Sequence, residues 1–349
     1  MEEVWYLKRI ETKEEFQKRF QVNKNNRFLK RMYLPYLLKR KPYKIEIQQG
    51  KKIIYLYLEN EDIHKSRDNK HNKQEVITKK EEKNIKRQAG RKRKTIQKIE
   101  KLLVDKEVKN VVLDKKLVKE NEVRNYIERN NIDIQNGRRI LKYMVYNILE
   151  YIADMQEIPL ESQSIHILVN DNTSINQSII IELARKLKRV DIVTNHIKQF
   201  RKLEEYLDDK LGIMITVGNN KRKCLVKEKW ILNVDFPIEL IRQYRVNPNS
   251  LFINLENPML EIPSRFNGII LNSYEIQMKE ELETSLKNMG LDDNFDMLTL
   301  YESIRMRKDS YENIQKDMEQ DEIKIKRIKG INGYIQKKDF ERIKESGRK

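Results

Sequence analysis

The sequence predicts an α/β protein with a mainly parallel sheet, and two observations carry that prediction. Four short runs rich in β-branched residues recur within residues 165–237, reading IHILVND, VDIVTN, GIMITVGNN and KWILNVDFP. Helix-length segments, with apolar residues three and four apart, join the first three runs. Strands alternating with helices along one chain are typical of a Rossmann-like parallel sheet with flanking helices.

The central sheet can be specified strand by strand. We predict neighbouring, mainly parallel strands at Ile165–Asn170, Asp191–Thr194, Ile213–Val217, Trp230–Val234 and Leu251–Leu255. The first connecting helix should face this sheet with Ile175, Ile179, Ile180, Leu183 and Leu187. FNGIILN predicts a sixth strand, YEIQMKEELETSLKNMG a helix ended by Gly290, and MLTLYESIRMRKDSYENIQKDMEQ one longer helix. A hairpin about Gly330–Gly333 and a short helix complete the chain.

The residues before the central unit predict a smaller module. VWYLKRI indicates a strand, KEEFQKRF a helix capped by Thr12, and the segments flanking Gly50 a hairpin. The charged residues that follow favour a linker, and a helix is expected from about Ala89. NVVLD, KENEVRNYIERN and IDI then indicate a strand, a helix and a strand, before a long helix over residues 138–155.

These patterns predict five regions. They are a small basic α+β module at 1–60, a charged flexible linker at 61–88, an α/β segment at 89–160, the Rossmann-like domain at 161–275, and a helical C-terminal region with a basic tail at 276–349.

The positive charge is concentrated near the amino terminus. The chain has a net charge of +18, and its first hundred residues hold 29 Lys and Arg against 14 Asp and Glu. A nucleic acid or an acidic protein is the partner class that such a region would take. Candidate contacts are the basic and aromatic residues Arg27, Arg31, Tyr33, Lys39 and Arg40, and the run Arg91, Lys92, Arg93 and Lys94. A compositional cause stays open, because a chain rich in Lys, Ile and Asn gathers Lys on solvated surfaces without any ligand.

Cysteine use and hydropathy set the expected surroundings. Cys224 is the one cysteine in the sequence, which excludes an intramolecular disulfide framework and favours a reducing cytoplasm. The first residues lack an apolar signal core, and no apolar run reaches the ~18 residues of a membrane helix. We therefore expect a cytoplasmic protein without membrane association.

The order of elements resembles a known group of enzymes. A long helix, the linker IPL, a first strand, and a second strand ending in Thr194-Asn195 before a helix resemble the layout of NADP-linked dehydrogenases such as glutamyl-tRNA reductase, shikimate dehydrogenase and methylenetetrahydrofolate dehydrogenase. The resemblance covers about residues 137–237. It implies NADP as cofactor, with Thr194, Asn195, Lys198 and Arg201 near the 2′-phosphate. Helix capping by Asn195 is the competing interpretation of the same residues.

The first turn departs from that group. A dinucleotide fingerprint needs glycines for close approach of the backbone to the pyrophosphate, whereas this turn contains Asn170, Asp171 and Asn172, with no glycine from residue 162 to 210. We expect the helix after it to be capped by Asn172, Thr173 or Ser174. Asp171 is expected to lie against the exposed N–H groups, in place of an anion.

Other catalytic arrangements are weakly indicated. Asp114-Lys115 forms an acid–lysine pair of the kind that the resembled group uses, but adjacent residues on a strand exit point to opposite sides. His166 lies in mid-strand, as core histidines do, and His196 is better placed at a strand end. The favoured interpretation is a non-catalytic or degenerate Rossmann-like protein that binds a ligand or partner. An NADP-dependent oxidoreductase with an atypical phosphate turn and a nucleic-acid-binding protein are the alternatives.

Overall fold

The computed structural model describes residues 3–10, 12–19, 42–58, 79–227, 229–256, 258–259, 266–289, 291, 293–305 and 310–346. They form two compact units. The first combines Met1–Gln135 with Thr284–Ser303, and the second combines Asn136–Glu283 with Ile304–Lys349.

The first unit is built on a five-stranded sheet. Its elements are β1 (Val4–Ile10), α1 (Lys13–Arg19), β2 (Tyr43–Gln48), β3 (Lys51–Tyr57), α2 (Lys79–Asp105), β4 (Asn110–Leu113), α3 (Asn121–Arg129) and β5 (Asp133–Gln135). The strand order is β2-β3-β1-β4-β5, with antiparallel pairing only between β2 and β3. As predicted, the Thr12 Oγ1 accepts the Glu15 N–H at 3.0 Å and so caps α1. The hairpin turns at Gln49 and Gly50, both with positive φ.

The core of this unit joins residues far apart in the sequence. The buried side chains include Trp5 and Leu7 on β1, Ile54 on β3, Ile99 on α2 and Val111 on β4. The predicted boundaries at 60 and 89 therefore differ from the observed unit, because β4 pairs in register with β1 across about a hundred residues. No local pattern encodes such a pairing. Within the predicted linker, residues 79–88 are helical, so α2 begins ten residues before Ala89, and residues 61–78 lie outside the described part of the chain.

The second unit contains the predicted central sheet. The elements from residue 138 onward are α4 (Arg138–Tyr143), α5 (Val145–Gln156), β6 (Ser164–Leu168), α6 (Ser174–Lys186), β7 (Arg189–Val193), α7 (Ile197–Leu211), β8 (Thr216–Gly218), β9 (Trp230–Asn233), α8 (Ile238–Ile241), β10 (Leu251–Asn254), β11 (Ile269–Gln277), α9 (Glu280–Asn288), α10 (Met297–Arg305), α11 (Tyr311–Gln320), β12 (Lys324–Gly330), β13 (Gly333–Tyr334) and α12 (Lys337–Ser346). Part of α9 and most of α10 belong to the first unit.

The sheet order is β13-β12-β11-β10-β9-β6-β7-β8, and the strands from β8 to β11 are parallel. Numbered from β6, those six strands follow the order 3-2-1-4-5-6 of a Rossmann fold. The α/β, Rossmann-like prediction is confirmed, and each of the five specified strands overlaps an observed one, although β8 begins at Thr216 and not at the predicted Ile213. Ile179, Ile180 and Leu183 of α6 and the C-cap residue Leu187 are buried as expected, and Ile175 is half-buried.

Three predicted elements differ in detail. Residues 138–155 form two helices that meet at Met144, where the backbone leaves helical geometry. Tyr274–Gln277, predicted as helix, continues β11 and pairs with antiparallel β12. The buried Tyr274 and Ile276 alternate with the half-buried Glu275 and the exposed Gln277, as expected for a strand. The single helix predicted over 297–320 is divided, since Ser310 starts α11 by accepting the Asn313 N–H at 3.3 Å. The region 276–349 thus contributes strands as well as helices, and Gly290 lies outside the described residues.

Candidate functional site

The strand order places the candidate site between β6 and β9. From β6 the chain proceeds through β7 to β8 on one side, and from β9 through β10 to β11 on the other. At such a switch point the crossover connections leave in opposite directions, and proteins of this fold bind ligands in the crevice beyond the carboxyl ends of the two strands. In this chain the turn after β6 and the residues that follow β9 lie at that position.

The carboxylate of Asp235 accepts hydrogen bonds from the backbone N–H groups of this turn. The Asn170 N–H donates to Oδ1 of Asp235 at 2.6 Å, and the Asp171 N–H donates to Oδ2 at 3.3 Å. The Asn176 side chain on α6 adds a hydrogen bond from Nδ2 to the same Oδ2 at 2.6 Å. Asp235 follows β9, so the switch point itself brings this carboxylate to the turn. We refer to Asp235 and its three donors as the Asp235 cradle.

The position of Asp235 shifts the pKa of its carboxyl. Burial raises the pKa of its carboxyl above the ordinary value, while the hydrogen bonds from Asn170 and Asn176 and the charge of Lys142 oppose that shift. The carboxylate is therefore a desolvated group that depends on the cradle's donors.

The expected role of Asp171 is wrong. Its side chain is exposed, and its Oδ1 accepts a hydrogen bond from Asn170 Nδ2 at 2.8 Å rather than from the helix N–H groups. The reason is geometric, because Asp235 approaches the same donors from the neighbouring strand. Of the three capping residues considered, Thr173 caps α6 by accepting the Asn176 N–H at 3.2 Å.

The second strand end carries the other cofactor candidates. Thr194 is fully buried, and its Oγ1 accepts the His196 N–H at 3.1 Å. Asn195 is exposed and does not cap α7, whose N-cap is His196 with no side-chain hydrogen bond. Lys198 and Arg201 are exposed on the first turns of α7. Asn172 Nδ2 donates to Gln199 O at 3.3 Å, which ties the turn after β6 to that helix.

A ladder of buried asparagines extends the site across three strands. Asn233, Asn254 and Asn272 lie on β9, β10 and β11. Asn233 Nδ2 donates to Asn254 Oδ1 at 3.3 Å, and Asn254 Nδ2 donates to Asn272 Oδ1 at 3.0 Å. We name these residues the asparagine ladder. Neither the ladder nor the cradle is predicted from the sequence, although ILNVD, FINLE and IILNS repeat an asparagine after an apolar run.

The ends of the ladder bind backbone groups. Asn233 Oδ1 accepts the Phe236 N–H at 2.9 Å, one residue beyond Asp235. Asn272 pairs with Met259, accepting its N–H at 2.9 Å and donating to its carbonyl at 2.7 Å. Tyr274 donates to Asn254 O at 3.0 Å, and burial raises the pKa of its hydroxyl strongly. The ladder thus fixes the backbone beyond β9 and β10 and so helps to position Asp235.

The remaining titratable candidates have structural partners. His166 is buried on β6, with Nε2 3.4 Å from Oδ2 of Asp191 on β7, and Arg189 Nε is 2.7 Å from the same oxygen. His196 is exposed at the strand end. In the first unit, Asp114 accepts N–H groups from Arg9 at 2.6 Å, Leu117 at 2.7 Å and Lys116 at 3.0 Å.

Asp114 and Lys115 therefore do not form an acid–lysine pair. The Lys115 ammonium donates to the carbonyl of Asp293 at 2.9 Å. Burial raises the pKa of Asp114, although its three N–H donors act against the shift. Its observed role is to hold the backbone after β4 against β1.

The nucleic-acid candidates fall into two groups. Arg27, Arg31, Tyr33, Lys39 and Arg40 lie outside the described residues. Arg91, Lys92, Arg93 and Lys94 lie on α2, but they do not share one surface. Lys92 Nζ is 2.7 Å from Glu120 Oε2, and Arg93 Nε is 3.7 Å from Glu122 Oε1, whereas Arg91 and Lys94 are exposed on another face.

The described residues include no cluster of three or more His, Cys, Asp or Glu side chains arranged to hold a metal ion. None of their helices has both the length and the apolar character required to cross a membrane.

Comparisons with known proteins assign no family. No family model and no curated protein matches the sequence. Among solved structures, a mitochondrial ornithine carbamoyltransferase from Coccidioides immitis aligns at 9% identity over 76% of this chain and 73% of that chain, with a TM-score of 0.21. A similarity this low supports no argument about function.

Proposed function

We propose that this protein acts by binding a partner or a small ligand, and not by dinucleotide-dependent catalysis. One observation carries the proposal: the carboxylate of Asp235 lies on the backbone donors at the switch point. In a Rossmann enzyme the corresponding donors hold the pyrophosphate of the cofactor.

A dinucleotide would have to displace this carboxylate or lie beside it. Two like charges about 4 Å apart repel by up to about 4 kcal/mol near a protein surface. Displacement would in turn leave a partly buried carboxylate without the N–H groups of Asn170 and Asp171. Leaving such a group unpaired costs on the order of 1–3 kcal/mol, and more when it is charged.

The oxidoreductase alternative has one supporting feature. Lys198 and Arg201 are exposed cations three residues apart on α7, next to the end of the second strand. A 2′-phosphate lies near this position in the group that the sequence resembles. These two cations do not replace the missing pyrophosphate site, so NADP remains the second candidate ligand.

Titration with NADPH tests the proposal. Calorimetry and thermal denaturation would be carried out on the wild type, on Asp235→Ala, and on Asp171→Ala as the matched removal of an exposed carboxylate from the same turn. We expect no saturable binding by the wild type or by Asp171→Ala at about 1 mM, where a hundred-fold excess over Kd would add about 2.7 kcal/mol of stability.

The variants separate the outcomes. Micromolar, saturable binding of NADPH by the wild type would reject the proposal and favour the oxidoreductase. Binding gained only in Asp235→Ala would identify a crevice closed by its own carboxylate. If none of the three proteins binds NADPH, the site does not bind a dinucleotide even after the Asp235 carboxylate is removed, and the proposal stands.

A further inference from the structure

The five-stranded sheet of the first unit has β2 as one of its two edge strands. Strand β2 pairs antiparallel with β3, and the Tyr57 N–H extends this ladder by donating to the Pro42 carbonyl at 3.0 Å. Because hydrogen-bonded and non-hydrogen-bonded pairs alternate along such a ladder, every second residue of β2 directs its backbone N–H and C=O away from β3. These outward residues are Tyr43, Ile45 and Ile47.

The outer side of β2 is unpartnered and apolar. Within the part of the chain that the structure describes, no group forms a hydrogen bond with the outward N–H and C=O groups of these three residues. Their side chains lie on the same face as Ile54, the core residue opposite Ile45, yet Ile45 is 37% exposed and Ile47 is 68% exposed. An unpaired edge strand with exposed apolar side chains is a template for pairing with a further strand.

The charges on the other face of β2 favour an antiparallel second copy. Lys44 and Glu46 lie there, with Nζ and Oε1 3.1 Å apart. In a two-fold antiparallel pair centred on Ile45, Lys44 of each copy lies opposite Glu46 of the other. A shift of two residues in either direction would place Lys44 opposite Lys44, or Glu46 opposite Glu46. Opposite charges across a ladder stabilise the pairing, whereas like charges destabilise it, so the charges select one register.

The same register satisfies the backbone and covers the apolar side chains. Ile45 of one copy lies opposite Ile45 of the other, and each Tyr43 lies opposite an Ile47, so all the outward N–H and C=O groups are paired. The side chains of these residues meet on one face of the sheet. From these features we infer that β2 is a dimer interface, at which two copies of this chain join their five-stranded sheets into one.

Two-fold pairing also limits the assembly to two copies. Each copy contributes its β2 edge, and a contact of the same surface with itself closes after one partner has been added. The opposite edge strand of this sheet, β5, has 3 residues and gives a further strand little to pair with. The inference goes beyond the proposed ligand binding, and it does not depend on what the site at Asp235 binds.

Sedimentation equilibrium of the full chain tests the inference. We expect the weight-average mass to approach twice 42.3 kDa at about 100 μM and to fall towards the monomer value at about 1 μM. Ile45→Pro removes the central outward N–H but none of the hydrogen bonds to β3, because proline is tolerated on an edge strand where its nitrogen faces outward. This variant should remain monomeric over the whole range, with an unchanged circular dichroism spectrum.

Exchange of charges tests the register. Lys44→Glu places two carboxylates opposite each other, and Glu46→Lys places two ammonium groups opposite each other, so each variant should dimerise at least about ten-fold more weakly than the wild type. An equimolar mixture of the two variants brings opposite charges together again and should recover most of the lost affinity. Neither chain regains its own Lys44–Glu46 ion pair in the mixture, so the recovery can come only from contacts between copies.

Three results would overturn the inference. A wild type that remains monomeric at about 100 μM would exclude a second copy and leave the edge to a strand of another protein. Dimerisation that persists in Ile45→Pro would show that the copies meet elsewhere. A mixture of the charge variants that associates no better than either variant alone would exclude the pairing of Lys44 with Glu46 that defines the proposed dimer.

Discussion

The buried amide of Asn254 forms hydrogen bonds to both neighbouring strands of the sheet. It is fully buried, its Oδ1 accepts from Asn233, and its Nδ2 donates to Asn272 Oδ1 and to Leu271 O at 3.3 Å. Both the acceptor and the donor ends of the amide are thus in use. An aspartate has nearly the same shape but has no hydrogen to donate when ionised.

The substitution Asn254→Asp should consequently destabilise the protein in a pH-dependent way. Burial and the loss of both donated hydrogen bonds should raise the pKa of the new carboxyl above its unfolded value. A raised folded pKa means that stability is retained at low pH and lost as pH rises through that pKa. We expect a loss of about 2–4 kcal/mol at about pH 8 and clearly less at about pH 5, measured by urea denaturation.

Asn219→Asp is the matched control for this change, because Asn219 is exposed at the end of β8. It should alter stability by less than about 0.5 kcal/mol at either pH. If Asn254→Asp were as stable as the control at the higher pH, the prediction would be wrong, and position 254 would be accessible to water.

At the scale of elements, the turn after β6 depends on a short cap as well as on Asp235. Thr173 accepts the Asn176 N–H with its hydroxyl, and Asn176 in turn donates to Asp235 and to Asp171 O at 2.7 Å. Removing the cap should therefore loosen the first turn of α6 and the Asp235 cradle together.

We expect Thr173→Ala to cost about 1 kcal/mol in unfolding free energy and to increase amide exchange at Asn170, Asp171 and Asn176. Ser174→Ala is the control, because Ser174 is the exposed first residue of the helix and is not the cap. Equal stabilities of the two variants, with unchanged exchange in the turn, would contradict the proposed link between cap and cradle.

The same elements show what sequence patterns can and cannot predict. Strands such as Ile165–Leu168 and Trp230–Asn233 were predictable, because their β-branched or apolar runs are bounded by polar turn residues and their burial is a local property. The local pattern of Tyr274–Gln277 predicts a helix, whereas these residues form a strand because they pair with residues about fifty positions later, in β12. The sequence indicates which residues follow each strand. It does not indicate the switch point or the choice of Asp235 over Asp171, because both depend on strand order.

At the scale of the whole molecule, the first unit takes part of its core from far along the chain. Phe295 is buried, and its ring lies 6.2 Å from that of Tyr6 on β1 in an edge-to-face arrangement. The Tyr6 hydroxyl is 3.0 Å from Ser303 Oγ, and Lys115 N donates to Asn294 O at 2.8 Å. The segment 284–303 thus completes a sheet whose strands all lie before residue 136.

Truncation of Phe295 tests this division. A Phe→Ala change in a core costs about 3–5 kcal/mol, through lost burial and the cavity left behind. In Phe295→Ala we expect the largest loss of amide protection in β1 and β4. The reciprocal variant is Phe252→Ala, a buried ring on β10 of the second unit, which should lower protection first in β9 and β11. Hydrogen exchange with mass spectrometry resolves these strands. If Phe295→Ala instead opened β9–β11 while β1 and β4 kept their protection, the segment 284–303 would belong to the second unit.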